Sequence, residues 1–468
     1  MGRRPEKSVS SRWAIIAIAA AMLLLTYFLP TPEGLEKSGE MGIVLLFAGI
    51  ILWASEVVPL AIATFAIMVF MYVFGVSTAS EIWSGWASTS IFFILASFGI
   101  STAMLKTKIP TKIVFGLVKL TKGRSKRVVF AFMAATWFIS LFISDFPSTA
   151  LMASIAADSI LKLEKAEPGK SNLGRCLLIG IPVAAVVGGA AMPTGSAMNI
   201  MAQGLLASTT GITIAFAHWV AICMPMSLML LAASYVSLTR LYKPENISRN
   251  TFDSLSRQAN ELGRLGKRDG LFLGILSVAL VLWITGNWTG VDATVVALGC
   301  LCALFLPGID QISWGEYRAG VAWDIVLLVG GVSTLAEGIQ NHGGGTWLFA
   351  STVGKVAVTA NALVAGAAVF LPIVKLVIPT GPAIIALFLL PLAQAGGSLG
   401  VTPAAFAVMC GVNASNTFLL GLDSNHMLAY HYGYWKFGDF FKAGIFPTVL
   451  LMAMHSTILV PMLNALGY

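Results

Sequence analysis

The chain has 468 residues, of which 57% are hydrophobic and only 11% charged, with a mean hydropathy of +0.84. Soluble globular chains carry about 25% charged residues, so the composition excludes an ordinary soluble domain and describes a polytopic membrane protein. The net charge of +8 is no nucleic-acid signal, because the basic residues gather between apolar stretches as the positive-inside bias requires; no nucleic-acid partner is expected.

Taken in order, residues 1–40 read as a basic tail and a first span at 13–29, followed by a Pro30-Thr31-Pro32-Glu33 loop with no small-residue cleavage site. Residues 41–241 form a first unit with spans at 41–57, 59–76, 90–105 and 128–143. A re-entrant piece near 144–162, an interrupted span at 176–206 broken near 185–204, and a span at 214–241 complete it. A polar linker, 242–269, separates a second unit, 270–468. Its spans fall at 271–288, 293–306 and 323–340, then 362–377 with a re-entrant piece near 378–397. An interrupted span at 403–429, broken near 411–429, and a last one at 440–463 follow. At about 20 apolar residues per crossing, this makes about 11 transmembrane helices in an all-α fold. Cys176, Cys223, Cys300, Cys302 and Cys410 lie in or beside apolar stretches without metal-type spacing; they read as small core residues, with no disulfide framework.

The two units are related by one offset. Gly99-Ile100-Ser101-Thr102 recurs as Gly331-Val332-Ser333-Thr334, 232 residues later, and the same offset carries Pro147 onto Pro379 and Ser148 onto Thr380. Residues 106–127 hold eight basic residues and no acidic one, whereas the equivalent 338–359 holds only Lys355 as a basic residue. Related segments of opposite charge bias belong on opposite faces of the membrane, the mark of an inverted-topology repeat. Arg3, Arg4, Lys7 and Arg12, with the basic linker, place the N-terminus in the cytoplasm.

Each unit carries a hairpin break and then a broken helix. The first pair is Ser144-Asp145-Phe146-Pro147-Ser148-Thr149 with Pro193-Thr194-Gly195-Ser196-Ala197-Met198-Asn199. The second is Pro379-Thr380-Gly381-Pro382 with Asn413 to Thr417 and Asp423-Ser424-Asn425-His426. Unwound backbone at membrane depth is tolerable only where it lines a cavity or is buried in protein. Its carbonyls and the Ser, Thr and Asn side chains suit cations, while inward helix N-termini suit anions. Ionisable residues within spans are costly and functional by default. Asp145 is a candidate cation ligand, proton carrier or half of a structural ion pair. Lys375 is a candidate substitute for a bound sodium ion, a contact for an anionic substrate, or a snorkelling side chain. Asp423 is a candidate coupling group or the partner of Lys375. Glu56 reads as fold-linked, and residues 430–435 as an aromatic interface belt.

Trp53-Ala54-Ser55-Glu56-Val57-Val58-Pro59-Leu60 resembles the Trp-x-x-Glu-x-x-Pro-Leu signature of the divalent anion/sodium symporter family (the solute carrier 13 type). The stretch from Trp323-Asp324 to Gly330-Gly331 and that from Tyr432-Gly433-Tyr434 to Lys442-Ala443-Gly444 are similar to two further segments of that family. The resemblance implies a homodimer whose transport domain moves elevator-fashion against a scaffold, carrying di- or tricarboxylates or sulfate with sodium. It also implies hairpin tips of Ser-Asn-Thr that bind substrate and sodium. Here Ser144 and Thr149 match in part, Asp145 stands where the pattern has Asn, and Pro379-Thr380-Gly381 lacks the motif. A Ser-Asn-Thr does stand at Ser415–Thr417, in the following broken helix.

These readings give the expected site. Substrate contacts are Ser144, Asp145, Ser148, Thr149, Thr194, Gly195, Ser196, Asn199, Thr380, Gly381, Ser424 and Asn425. Coupling falls to Asp145, Asn199, Lys375 and Asp423, with a sodium position near Ser144, Asp145, Gly195 and Asn199. No cofactor other than a coupling Na+ is expected, and no ATP-binding sequence is present, so transport would be driven by Na+, H+ or exchange. The expected protein is a secondary transporter of small divalent organic anions in the cytoplasmic membrane, in contact with lipid. Sulfate, sulfonate or a channel-like conductor in the same fold are the alternatives. No nucleophile-elbow or HExxH setting points to an enzyme.

Overall fold

The computed structural model describes residues 9–468, apart from Glu56, 352–358 and Pro379, with Ala54 and Phe349 described in backbone only. The expectations attached to Glu56, Pro379, Lys355, Arg3, Arg4 and Lys7 therefore lie outside the described residues.

Every described regular element is helical. The chain opens with α1 (Val9–Phe28), α2 (Lys37–Ser55), α3 (Leu60–Val73), α4 (Ala79–Ser84) and α5 (Thr89–Leu105). Then come α6 (Ile109–Leu120), α7 (Ser125–Ser140) and α8 (Asp145–Ala156), which continues as a π turn, Ala157–Leu161. The broken helix is α9 (Asn172–Ala191), a short turn Pro193–Gly195, and α10 (Ala197–Thr210); α11 (Phe216–Leu241) closes this half. The linker is not featureless, because it holds α12 (Arg249–Glu261), capped by the Ser248 side chain. The second half runs α13 (Lys267–Thr289), α14 (Ala293–Leu304), α15 (Trp314–Gly320), α16 (Trp323–Asn341) and α17 (Gly344–Ser351). It ends with α18 (Ala360–Val374), α19 (Gly381–Ser398), α20 (Pro403–Ser415), α21 (Ser424–Tyr430), α22 (Phe437–Thr457) and α23 (Leu459–Ala465). From α5 to α11 and from α16 to α22 the same order recurs: helix, short helix, hairpin, broken helix, long helix.

Among the described residues seven helices are long and apolar enough to cross a membrane, eight if the bent pair α15–α16 counts as one span. Leu60–Val73, Ala293–Leu304, Ala360–Val374 and Pro403–Ser415 are apolar but shorter. Burial separates two kinds of helix. α1 turns Trp13, Leu24, Leu25 and Phe28 outward, as a lipid-facing helix does. α9 is enclosed on all sides, and its Gly188 lets α7 approach so closely that a Cβ there would lie 2.3 Å from the Trp137 carbonyl oxygen.

Polar contacts tie the loops into two sets. Lys106 pairs with Glu316 at 2.7 Å, and the Lys108 N–H donates to Asp269. Glu164 accepts from Ser248, and Glu245 accepts from the N–H groups of Asn172 and Leu173. Elsewhere Glu36 meets His342, Trp347 donates to the Glu33 carbonyl, and His218 bridges Tyr468 and Asn287. The first set carries the basic loops.

The halves interlock: α10 packs on α19 and α20, and α21 on α8 and α9. The sequence offset does not persist to the hairpin tips. α16 runs seven residues beyond Thr334, whereas α5 runs three beyond Thr102. The helix that follows the tip starts at Asp145 in one half and Gly381 in the other, 236 residues apart. Thr380, which precedes α19, is therefore the counterpart of Ser144, which precedes α8, and not of Ser148 as the sequence offset implied.

Two helix breaks built from proline, carbonyl and amide

The first break follows from what proline cannot do. Pro147 has no N–H for the Ile143 carbonyl four residues back, and Pro193 has none for that of Gly189. Both freed carbonyls take side-chain donors instead. Ser140 and Ser148 Oγ donate to Ile143 O, at 3.3 and 3.2 Å. Asn199 Nδ2 donates to Gly189 O at 2.8 Å and Met192 O at 2.9 Å. Thr194 Oγ1 then donates to Leu141 O at 3.0 Å, stitching the broken helix to the hairpin tip.

These bonds orient what remains. With its amide nitrogen committed, Asn199 presents a buried Oδ1 without a hydrogen-bond partner. Asp145, at the start of α8, lies 3.3 Å from Ser140 Oγ and shares the single proton of that hydroxyl with Ile143 O. Its Oδ1 lies so near α9 that a Cβ on Gly189 would meet it at 1.9 Å. The carbonyls of Gly189 and Ser140 converge on Gly195, where a Cβ would come within 2.6 and 2.7 Å of them. Gly195 is thus small because two carbonyls close on it. Ser144 and Thr194 border a small cavity that reaches Ser97 and Ser101 of α5.

The second break has the same parts in another charge state. α18 ends at Val374 and α20 at Ser415. The Lys375 ammonium, only 4% exposed, donates to the Ala414 carbonyl at the end of α20. Gly381 closes on the same carbonyl; a Cβ there would lie 2.6 Å away. Asn416 Nδ2 donates to Val412 O, leaving its Oδ1 without a partner. Asp423 caps α21 and meets His426 Nδ1 at 2.6 Å. Of its two candidate roles, the pairing with Lys375 is not formed: among the described residues no carboxylate stands within ion-pair distance of that ammonium.

A hydroxyl–hydroxyl bond joins the two breaks, between Ser196 Oγ and Ser415 Oγ at 2.8 Å. Beside it in the chain, Asn199, Asn416 and Thr417 are at least nine-tenths buried and each keeps a side-chain oxygen without a hydrogen-bond partner, as do Thr149 of α8 and Asn425 of α21. Buried polar atoms are normally paired, so these open oxygens are available to a further group. Electrostatics divides the region in two. The C-termini of α7, α9, α18 and α20 bring unsatisfied carbonyls and negative dipole ends, which suit cations. The N-termini of α10 and α19 bring N–H groups, which suit an anion.

The expected residues are distributed accordingly. Ser144, Asp145, Ser148, Thr149, Thr194, Gly195, Ser196 and Asn199 come together at the first break, although Ser148 Oγ is spent on the backbone. Thr380, Gly381 and Lys375 lie at the second. Ser424 is exposed, and Asn425 reaches across to the Pro182 carbonyl of α9 at 3.4 Å. Sequence reading missed Ser140 and the role of the Ala414 carbonyl, and it singled out Ser415, Asn416 and Thr417 in the second broken helix without giving them a site role. The Ser-Asn-Thr run was the available signal for those three.

Against this geometry the comparisons with known proteins are decisive for kinship. The profile of the sodium:sulfate symporter transmembrane region matches residues 10–467. The chain belongs to that family. Relatives of this symporter-family protein include a sodium-dependent dicarboxylate transporter of Staphylococcus saprophyticus, 23% identical over 356 residues, which cover 71% of this chain and 68% of the relative. The corresponding Staphylococcus aureus protein is 21% identical over the same shares. Among solved structures, the Alcanivorax borkumensis YdaH transporter superimposes with a TM-score of 0.53 at 14% identity, covering 83% of this chain and 88% of that one. Neisseria gonorrhoeae MtrF, from a class of antimetabolite efflux pumps, gives 0.56 at 12% identity, covering 93% and 97%. At these identities the structural likeness speaks for the fold. The symporter-family protein is thus an integral membrane transporter for an anionic substrate and not an enzyme.

Proposed function

We propose that this protein is a secondary active transporter of small divalent organic anions, of the di- or tricarboxylate class, in the cytoplasmic membrane. The anion lies between the hairpin tips and the broken helices. The coupling cation is held at the first break by Asp145, Asn199 Oδ1 and the carbonyls that converge on Gly195. The observation that carries this reading is the set of unpartnered buried oxygens beside the Ser196–Ser415 bond in the chain, where ends from both halves meet. The names of the staphylococcal relatives favour a dicarboxylate, and that of the family favours sulfate as the second reading.

Transport runs by an elevator movement. The hairpins and broken helices travel together as the body that the bonds Thr194–Leu141 and Ser196–Ser415 hold in one piece. The two halves are inverted repeats, with the N-terminus and the linker in the cytoplasm; the gathering of the basic loops on one side supports this. The homodimer expected from the resemblance belongs to the same reading.

The test is uptake of labelled succinate into proteoliposomes under separately imposed sodium and proton gradients, with citrate, sulfate and a small sulfonate as competitors. Saturable, gradient-driven succinate uptake is the expected result. Uptake of sulfate but not succinate moves the protein to the second reading. A non-saturating anion current overturns the transporter reading.

A further inference from the structure

We infer that Lys375 is a built-in cation: its ammonium occupies the position at the second break that an exchangeable cation would otherwise fill, so that coupling cations bind at the first break alone. The inference rests on the reading of the protein as a cation-coupled anion transporter and specifies its stoichiometry.

Each break brings two helix C-termini together, α7 with α9 and α18 with α20. The last carbonyls of a helix have no partner within it and carry the negative end of its dipole. Buried together in a membrane protein, two such ends need a positive charge or hydrogen-bond donors. At the first break the donors are Ser140, Thr194 and Asn199, none of them charged, and a carboxylate, Asp145, adds a negative charge. That pair of ends therefore still calls for a cation from outside. At the second break the Lys375 side chain, leaving the end of α18, places its ammonium on the Ala414 carbonyl at the end of α20. The tip closes on that carbonyl through Gly381.

Two other roles for a buried lysine fit less well. A structural ion pair needs a carboxylate in contact, but Asp423 is engaged by His426 and Asp145 by Ser140, and both act on Lys375 only through their fields. A snorkelling lysine would carry its charge outward, whereas this one points inward to a main-chain oxygen. An ammonium held by a main-chain carbonyl where two helices end puts its charge on an oxygen that would otherwise be open to a monovalent cation.

Two measurements on the full-length protein test this. The first is the sodium dependence of succinate uptake in proteoliposomes for the wild type and Lys375→Ser. The second is thermal unfolding in detergent against NaCl, with choline chloride as control and no substrate. In the wild type the inference expects a Hill coefficient for sodium of about 1, since a single exchangeable site remains. In Lys375→Ser it expects a rise toward about 2 and a steeper gain in Tm per decade of NaCl, because a second ion now binds the folded state. A wild-type Hill coefficient near 2 overturns it on the unaltered protein, whether or not the variant folds. A folded Lys375→Ser with an unchanged sodium dependence of Tm overturns it too. The unfolding series needs no transported anion, so a protein that fails to carry succinate still reports how many sodium-responsive sites each form has.

Discussion

The two breaks are made from the same kit and differ in sign. Each has a hairpin tip, a broken helix and an asparagine whose amide nitrogen is tied to a helix-end carbonyl while its Oδ1 stays open: Asn199 in the first, Asn416 in the second. The first break adds a carboxylate, Asp145, and the second an ammonium, Lys375. Architecture that recurs between the halves therefore does not mean equal function. One half is set up to receive a positive charge and the other already holds one.

The largest effect that bears on this contrast should come from Asp145→Asn. It keeps the shape of the first break, and Ser140 can still donate to the amide oxygen, but it removes the one negative charge there. A charge-assisted contact contributes about 1.5–3 kcal/mol, so coupled uptake at fixed sodium should fall by a factor on the order of 10–100. Protein yield and Tm should change little. Initial-rate uptake checks this, and unchanged uptake with unchanged sodium dependence would remove the first break from the coupling machinery.

The neighbouring glycines sharpen the contrast between site and scaffold. Gly188→Ala forces a Cβ into the Trp137 main chain, which cannot move without displacing α7. Overpacking of this kind costs about 1–3 kcal/mol, read as a lowered Tm. Gly189→Ala presses instead on the free end of the Asp145 side chain. It should weaken sodium activation and leave Tm nearly unchanged. The two variants sit one residue apart, so equal effects on both readouts would show that Asp145 is merely packed there.

A smaller effect tests whether the breaks act as one unit. Ser196→Ala leaves Ser415 with an unpaired buried hydroxyl and removes the cap of α10, whereas Ser415→Ala takes one of two partners from Ser196 Oγ, which still accepts from Met198 N. Ser196→Ala should cost about 1–2 kcal/mol and Ser415→Ala less, with the double variant clearly below the sum. Additive losses in a double-mutant cycle by thermal unfolding would mean that the 2.8 Å bond does not join the halves energetically.

Much of this was legible in the sequence, for a physical reason. A lone proline does not break a helix here, since Pro182, Pro225, Pro372, Pro391 and Pro447 all lie inside helices. Proline clustered with glycine, hydroxyl and amide residues in an apolar chain favours a break, and that clustering made the hairpin at Pro147 and the broken helix at Pro193 legible. The intramembrane charges Asp145, Lys375 and Asp423 stood out against the same apolar chain. What sequence could not give was register and main chain. The offset that matches Gly99 with Gly331 slips by four residues before the hairpin tips, because α16 is longer than α5 past the matched segment. That slip put Ser148 where Ser144 belongs. The acceptor of Lys375 is a carbonyl, which every residue carries, so no side-chain pattern could point to Ala414. For Asp423 the sequence left two roles open, coupling group or partner of Lys375, and the ion pair is not formed. As the cap of α21 its carboxylate is held next to His426, three residues on, and local geometry outcompetes a more distant lysine.

The smallest effect separates the outer arms of the two broken helices. The N-terminus of α20 is capped only by Thr402, whose Oγ1 accepts from Ala404 N at 3.3 Å. The N-terminus of α9 is held by a carboxylate from another part of the chain, Glu245, which accepts from Asn172 N at 2.7 Å and Leu173 N at 2.5 Å. Partial desolvation pulls the Glu245 carboxyl upward, but the two N–H groups and Ser171 outweigh it and hold the group below its usual 4.5. A carboxylate whose folded value is depressed stabilises the fold above its unfolded value and loses that contribution as the pH falls through the folded one. The α9 arm should therefore loosen below about pH 4.5, while the α20 arm, capped by a hydroxyl, should not respond there. Because Glu245 is exposed, its contribution is discounted to about 0.5–1 kcal/mol. Glu245→Gln should lower Tm slightly at pH 7 and converge with the wild type only as the pH falls through the depressed folded value. Amide exchange at Asn172 and Leu173 should rise in the variant, with the start of α20 unchanged. Equal loosening of both arms in acid would show that the pH response belongs to the whole fold and not to this carboxylate.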